Sequence, residues 1–354
     1  MQISPGRVAL LAALGLAALV PTAFAPAAHA QTQYLFIINN PTPNQGTVTR
    51  FAGTGPGTVS TTGTNLSGGN PGTTLGLAFD TRGDLFASNP FANTVTEFPA
   101  GAAPGSLGTG TVFATGLNFP RGLASDANGD LFAATGGNTG TGPYTVTVFP
   151  STGAGTFGPA TTLSSATLNF EVGLAVDAGG DLFAANNNGG TITEFYSTGL
   201  GTFGPGTVVE SGLTRPFGLA FDALGDLFAT NTNNTITKFA AGAAPGTLGA
   251  ATSFTDPTLN SPDGLAFDAR GDLFASNIGG GLAGQGSITE FLATGVGTFG
   301  AGAVVETGLN NPSSLIFSPA VPEASTTVSL GLLLVLGMGG LVIAANRKKR
   351  RVGA

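Results

Sequence analysis

The stretch Pro262-Asp263-Gly264-Leu265-Ala266-Phe267-Asp268-Ala269-Arg270-Gly271-Asp272-Leu273-Phe274-Ala275 decides the fold of this chain. Apolar residues alternate with small or polar ones on both sides of Asp268-Ala269-Arg270-Gly271, the pattern of two half-buried strands joined by a tight turn. The wording then recurs. Its first strand, Gly264 to Asp268, is matched at Gly76, Gly122, Gly173 and Gly218, and in worn form at Ser314, in steps of 46, 51, 45, 46 and 50 residues. Each intact copy runs into Gly-Asp-Leu-Phe-Ala, at Gly83, Gly129, Gly180, Gly225 and Gly271. A third run ends in Phe, at Phe98, Phe149, Phe195, Phe239 and Phe291, and a fourth closes the unit, as in Val208-Val209-Glu210.

Four short alternating runs in about 45 residues, separated by Gly and Asn turns, describe a four-stranded antiparallel blade. A helical repeat would need apolar spacings of three and four, and these are missing. The repeat is also broken across the two ends. Tyr34 to Asn39 and Thr47 to Phe51 supply second and third strands with no first strand before them, while Leu315 to Phe317 supplies a first strand with nothing after it. Joined, they make one more blade. The sequence therefore predicts an all-β, six-bladed β-propeller over residues 31–320, closed by strands from both termini, a closure that removes open sheet edges.

The pattern Pro-x-Gly-Leu-Ala-x-Asp-x-x-Gly-Asp-Leu-Phe-Ala, clearest at Pro262 to Ala275, resembles the NHL repeat. The resemblance implies a propeller fold but no particular activity, because such rings host many functions.

The 354 residues include 58 Gly, and charged residues make up 9%. There is no Cys and no Trp, and the one His is His29. Disulfide scaffolds, Cys redox sites and zinc fingers are thereby excluded. A net charge of -7 argues against a nucleic-acid partner, which needs a basic footprint.

The two ends read as sorting signals. Residues 1–30 carry Arg7, an apolar run from Val8 to Val20, and Ala28-His29-Ala30 as a small-x-small cleavage site, the order of an export signal. Once it is cleaved, the mature chain holds no histidine, so no Ser-His-Asp triad and no His-ligated zinc can form. Residues 328–345 are apolar and long enough for a transmembrane helix, and Arg347 to Arg351 follow as a cytoplasmic anchor. Before the helix stand Val321, Pro322, Glu323 and Ala324. Over residues 321–354 the motif, helix and basic tail resemble the PEP-CTERM sorting signal of exopolysaccharide-forming Gram-negative bacteria. The resemblance implies processing by an exosortase-type membrane enzyme, transient inner-membrane anchoring and delivery to the cell envelope or surface. Ala324 departs from that motif, which has a second Pro there.

Two sets of residues compete as sites. The paired carboxylates Asp80/Asp84, Asp126/Asp130, Asp177/Asp181, Asp222/Asp226 and Asp268/Asp272 recur at one hairpin, as turn chemistry does, with calcium ligation as the competing reading. The other set lies where the turn after each second strand meets the segment leading into each first strand. It contains Asn186, Asn231 and Asn277 with Arg121, Glu171, Arg215 and Asp263. The charged four differ between repeats, which is how a binding rim is made on a rigid scaffold. Six-bladed lactonases resembling the gluconolactonase family bind a divalent ion through Glu, Asn and Asp, types present in Glu171, Asn231 and Asp263. The reading reached from sequence is a non-catalytic binding or structural component of the envelope or exopolysaccharide matrix, with a polysaccharide or protein ligand and no resident cofactor. Its alternatives are a metal-dependent lactonase-like hydrolase and a receptor for a protein partner on the Asn-rich rim.

Overall fold

The computed structural model describes residues 33–319, apart from the short stretches 41–45, 56–57, 61, 69–73, 104, 138–142, 154, 244–245, 282–283 and 296. Both sorting segments lie outside the described residues. Among the described residues, no helix is long and apolar enough to cross a membrane.

Six antiparallel sheets form the blades of the expected propeller. In the first, the C-terminal strand Leu315–Phe317 is innermost, followed by Tyr34–Asn39, Thr47–Gly55 and the short Thr64–Asn65. Its register, Leu35 opposite Phe317 and Ile37 opposite Leu315, closes the ring. The second blade runs Leu77–Phe79, Leu85–Asn89, Thr94–Phe98, Thr111–Ala114, and the third Leu123–Ser125, Leu131–Gly136, Tyr144–Phe149, Thr161–Ser164. The fourth is Glu171–Val176, Leu182–Asn186, Thr191–Phe195, Thr207–Glu210. The fifth is Pro216–Phe221, Leu227–Asn231, Thr235–Ala241, Leu248–Thr255. The sixth is Pro262–Phe267, Leu273–Asn277, Gly286–Gly295, Thr298–Leu309.

The period-two pattern sends large side chains to opposite faces of each blade, so the core is six interblade layers rather than one centre. Leu77, Phe79, Leu85 and Phe98 meet Phe36, Ile38 and Val48 of the first blade. From the other face of the second blade, Phe86 and Val95 meet Leu123, Leu131 and Phe149 of the third. The repeated Phe of the second strand (Phe86, Phe132, Phe183, Phe228, Phe274) is buried in every intact copy.

Near the axis the inner strands crowd together, and glycine makes this possible. A Cβ on Gly76 would run into the carbonyl of Arg121, one on Gly173 into that of Phe217, and one on Gly218 into that of Asp263. A hydroxyl on the second strand stitches these neighbours. Thr230 Oγ1 accepts from Gly218 N–H at 2.8 Å and donates to the Asp263 carbonyl of the next blade at 2.6 Å. Gly173→Ala should therefore cost about 1–3 kcal/mol, the usual price of overpacking, read as a lower denaturant midpoint. An unchanged midpoint would show that the ring can widen at no cost.

Candidate functional site

The inner strands enclose an axial cavity of about 320 Å³, walled by Gly76, Gly122, Gly173, Gly218, Gly264 and Ser314 with apolar neighbours from the same strands. In four blades the residue just before the repeated glycine, or before Ser314, lines this space, and it differs each time: Leu75, Phe217, Asp263 and Ser313. Asp263 is the one ionisable residue of that lining. Its carboxylate accepts no hydrogen bond among the described residues, and burial pushes its pKa up to about 8.

The other expected residues are not brought together with it. Arg121 is buried, donating to the Gly136 carbonyl at 2.9 Å and the Gly137 carbonyl at 3.3 Å, with its guanidinium 4.1 Å from the Phe170 ring centroid and 4.8 Å from that of Phe119. This places it at the edge of the third blade, outside the cavity lining. Arg215 is exposed, has a left-handed backbone with φ of 49°, and donates to Asn187 Oδ1 at 3.3 Å. Glu171 begins the inner strand of the fourth blade opposite Asn186. Its side chain lies outside the described residues.

The asparagines are occupied inside their own blades. Asn186 Nδ2 donates to Thr191 and Thr193, and Asn277 Nδ2 to Ser287 and Thr289, all within 3.2 Å. Asn231 Nδ2 reaches Thr235 and Thr237 in the same way. Each amide therefore locks the end of a second strand to its third strand. A sequence signal for this exists: Thr or Ser stands at the paired positions of the next strand after each of these Asn residues.

The paired carboxylates are turn chemistry. In each hairpin the first Asp accepts two backbone N–H groups, as Asp268 Oδ1 does from Arg270 and Asp272 at 2.9 Å. The second Asp accepts the N–H two residues beyond the repeated Phe of the third strand, as Asp272 Oδ1 does from Ala293 at 2.8 Å. The same bonds hold Asp80/Asp84, Asp126/Asp130, Asp177/Asp181 and Asp222/Asp226. Beside them, Arg82, Lys238 and Arg270 pair with the acids of the second, fifth and sixth blades. In the fourth blade the turn has Gly179 instead of Arg, and the third strand adds Glu194. Burial, then Asp181 and Asp177, pushes the Glu194 pKa up to about 7. The native chain thus keeps a proton there that the unfolded chain releases near 4.5, so stability falls as pH rises from 4.5 through 7. Glu194→Lys, copying Lys238 beside Asp226, should melt several degrees above the parent at pH 8 by differential scanning calorimetry, with the gap shrinking below pH 4.5. An equal gap at both pH values would show that Glu194 carries no such burden.

Among the described side chains, Asn231 and Asp263 are not brought together to hold a divalent ion. Asn231 is turned into the space between two blades, Asp263 stands without a second carboxylate in the lining, and among the described residues no three His, Cys, Asp or Glu are grouped to hold a metal.

The architecture defines a six-bladed β-propeller of the type seen in lactonase and lyase structures. No protein-family model and no curated protein matches the sequence. Among solved structures, a gluconolactonase from Xanthomonas campestris is 19% identical with a TM-score of 0.51, the match covering 70% of this chain and 79% of that one. A candidate 6-phosphogluconolactonase from Bacteroides fragilis is 16% identical with a TM-score of 0.58, covering 83% and 100%. A streptogramin B lyase is 12% identical with a TM-score of 0.51, covering 80% and 91%. These neighbours correct the expectation of a non-catalytic component and of a chain that is not an enzyme. The inference from missing His and Cys reached too far. It excludes triads and His-bound metals, but a carboxyl shifted into the neutral range can move protons without either.

Proposed function

We propose that this protein is a lactonase-like hydrolase acting on a small cyclic ester in the axial cavity, with Asp263 as the group that moves the proton. The observation that carries this reading is an unpaired carboxyl, with a pKa near 8, on a wall otherwise free of charge. The enzyme names of propellers with the same architecture support it. A cavity of about 320 Å³ suits a molecule of monosaccharide size, at the small end of ligand pockets.

The chemistry needs no histidine. Ionised Asp263 takes a proton from a water molecule as that water's oxygen bonds to the ester carbonyl carbon. The same proton then passes to the ring oxygen as the carbon–oxygen bond breaks, leaving an open hydroxy acid. The test is hydrolysis of simple five- and six-membered lactones by the purified ring, followed by proton release, in the parent and in Asp263→Asn. Turnover lost in the variant supports the reading; turnover equal in both, or none in the parent, overturns it.

The finer parts of the assignment belong to the same proposal. The repeat is of NHL type, residues 1–30 direct export, and residues 321–354 act as a PEP-CTERM signal for an exosortase-type enzyme. The order of Val321-Pro322-Glu323, apolar run and basic tail supports this route, which delivers the ring to the envelope or cell surface.

A further inference from the structure

Five second strands end in asparagine, and four of those side chains find a donor for Oδ1. Asn39 Oδ1 accepts from Asn310 N–H at 2.6 Å, Asn89 from Thr74 Oγ1 at 3.3 Å, Asn186 from Asn169 N–H at 3.1 Å, and Asn277 from Asn260 N–H at 3.0 Å. Asn231 is the exception. It is 2% exposed, and its Oδ1 has no hydrogen-bond partner. A buried amide oxygen left unsatisfied costs about 1–3 kcal/mol, so its retention calls for a partner from outside the chain.

The local cause is the crossover from the fourth blade to the fifth. In that crossover Gly212 has φ of 80° and Leu213 N–H donates to the Gly190 carbonyl at 3.0 Å. Gly308, with φ of 75°, opens the crossover into the first blade in the same way, yet there Asn310 N–H reaches Asn39, so the difference lies in the residue after the leucine. Thr214, which holds the place of Asn169 and Asn260, presents its carbonyl to Thr232 N–H at 3.0 Å instead of an amide hydrogen to Asn231. Leu213 is only half-buried, whereas Leu168 and Leu259 at the same place in neighbouring crossovers are 6% and 4% exposed. A buried leucine from the crossover thus plugs the layers at Leu168, Leu259 and Leu309, whereas this one stays open, with Leu213 half-buried as Leu117 is in the second crossover. The result is a crevice of about 200 Å³ between the fourth and fifth blades, lined by Asn231, Glu210, Thr237 and Ser253 above Phe239 and Leu213.

We propose that this crevice is a second ligand site, separate from the axial cavity, that takes a neutral polyol or sugar. The chemistry selects that class. Asn231 Oδ1 and the Glu210 carboxylate ask for hydroxyl donors, Ser253 can give or accept, and the Leu213 and Phe239 side chains suit the C–H face of such a molecule. A liquid water occupies about 30 Å³, so one water satisfies the amide but leaves most of the space unfilled.

Saturation-transfer NMR of the full chain with D-glucose and D-sorbitol tests this. Transfer to at least one of them is expected in the parent, and it should be lost in Ser253→Phe, which fills the crevice from the outer strand. Glu210→Gln, which removes no bulk, should weaken binding about tenfold and keeps the test alive if Ser253→Phe fails to fold. Asp263→Asn should leave transfer unchanged. No transfer to either probe in the parent would mean the crevice holds water alone and would overturn the proposal. So would transfer that survives Ser253→Phe in a folded variant, or transfer abolished by Asp263→Asn, which would put the sugar in the axial cavity.

Discussion

Removal of residues 31–51 abolishes the cooperative melt of the ring. That segment carries Tyr34–Asn39 and the start of Thr47–Gly55, the second and third strands of the first blade, and it is the piece through which both neighbours are held. Leu35, Ile37 and Phe51 pack with Phe274, Ile288 and Leu309 of the sixth blade, while Phe36, Ile38 and Val48 pack with Phe79, Leu85 and Phe98 of the second. Six buried apolar side chains, at about 1.5–3 kcal/mol each, exceed or match the about 5–15 kcal/mol that separates a typical native domain from its unfolded state. The inner strand Leu315–Phe317 also loses its ladder: Ile38 N–H to the Ser314 carbonyl at 3.0 Å and Ser318 N–H to the Tyr34 carbonyl at 2.8 Å. An ordinary terminus can be trimmed with small effect; this one leaves two open sheet edges and two exposed interblade faces. Calorimetry on residues 31–320 and 52–320 decides the matter. A truncated chain that melts like the longer one would mean that five blades close without the sixth.

How much of this was legible depends on whether a feature repeats. The blades were readable because Gly-Leu-Ala-x-Asp and Gly-Asp-Leu-Phe-Ala write each strand five times over, and the split blade because its fragments sit in register with the rest. The hairpin carboxylates were readable for the same reason: a residue that does one job in every blade reads as structure. The site is made by exceptions, and an exception in sequence does not say where a side chain points. Arg121 and Asp263 occupy the same place in their repeats, each just before the glycine, yet Arg121 is drawn outward to the Gly136 carbonyl and the Phe170 ring while Asp263 stays on the axis. Asn186, Asn231 and Asn277 look alike as letters. What separates Asn231 is the crossover seventeen residues earlier, where Thr214 gives its carbonyl to Thr232 but no N–H to Asn231. No local pattern reveals this, because Gly308 shares the positive φ of Gly212, yet Asn310 two residues on does donate to Asn39. The enzyme question failed on a different point. Counting missing histidines bounds the chemistry that can occur but does not reveal a carboxyl whose surroundings have moved its pKa.

Asp263→Asn lowers lactone hydrolysis by about 10²–10⁴-fold while making the ring more resistant to heat at pH 7. The first half follows from the role: general acid–base groups contribute about that much, and the amide can neither take nor give the proton. The second half follows from the electrostatics. The carboxyl ionises near 3.8 in the unfolded chain and near 8 in the native one, so the native state holds a proton across that window. Stability attached to this group is full below 3.8 and is lost as pH rises through 8. Asparagine has the same shape and carries no charge to desolvate, so its advantage over the parent widens from pH 4 to pH 8. The parent's kcat/KM should run the other way, rising about tenfold per pH unit below 8 and levelling above it, because only the ionised fraction accepts the water's proton. A turn-forming aspartate such as Asp256 gives the opposite result: against the upward push of burial, Thr258 and Gly302 donate to its carboxylate and hold its pKa below the usual value, so replacing it removes those bonds and destabilises most where it is ionised. Activity and stability moving in opposite directions is the signature of a group kept for chemistry at the expense of the fold. If Asp263→Asn loses stability at pH 7, or if the parent's rate is flat between pH 6 and pH 8, the carboxyl is structural and the axial cavity must work through another group.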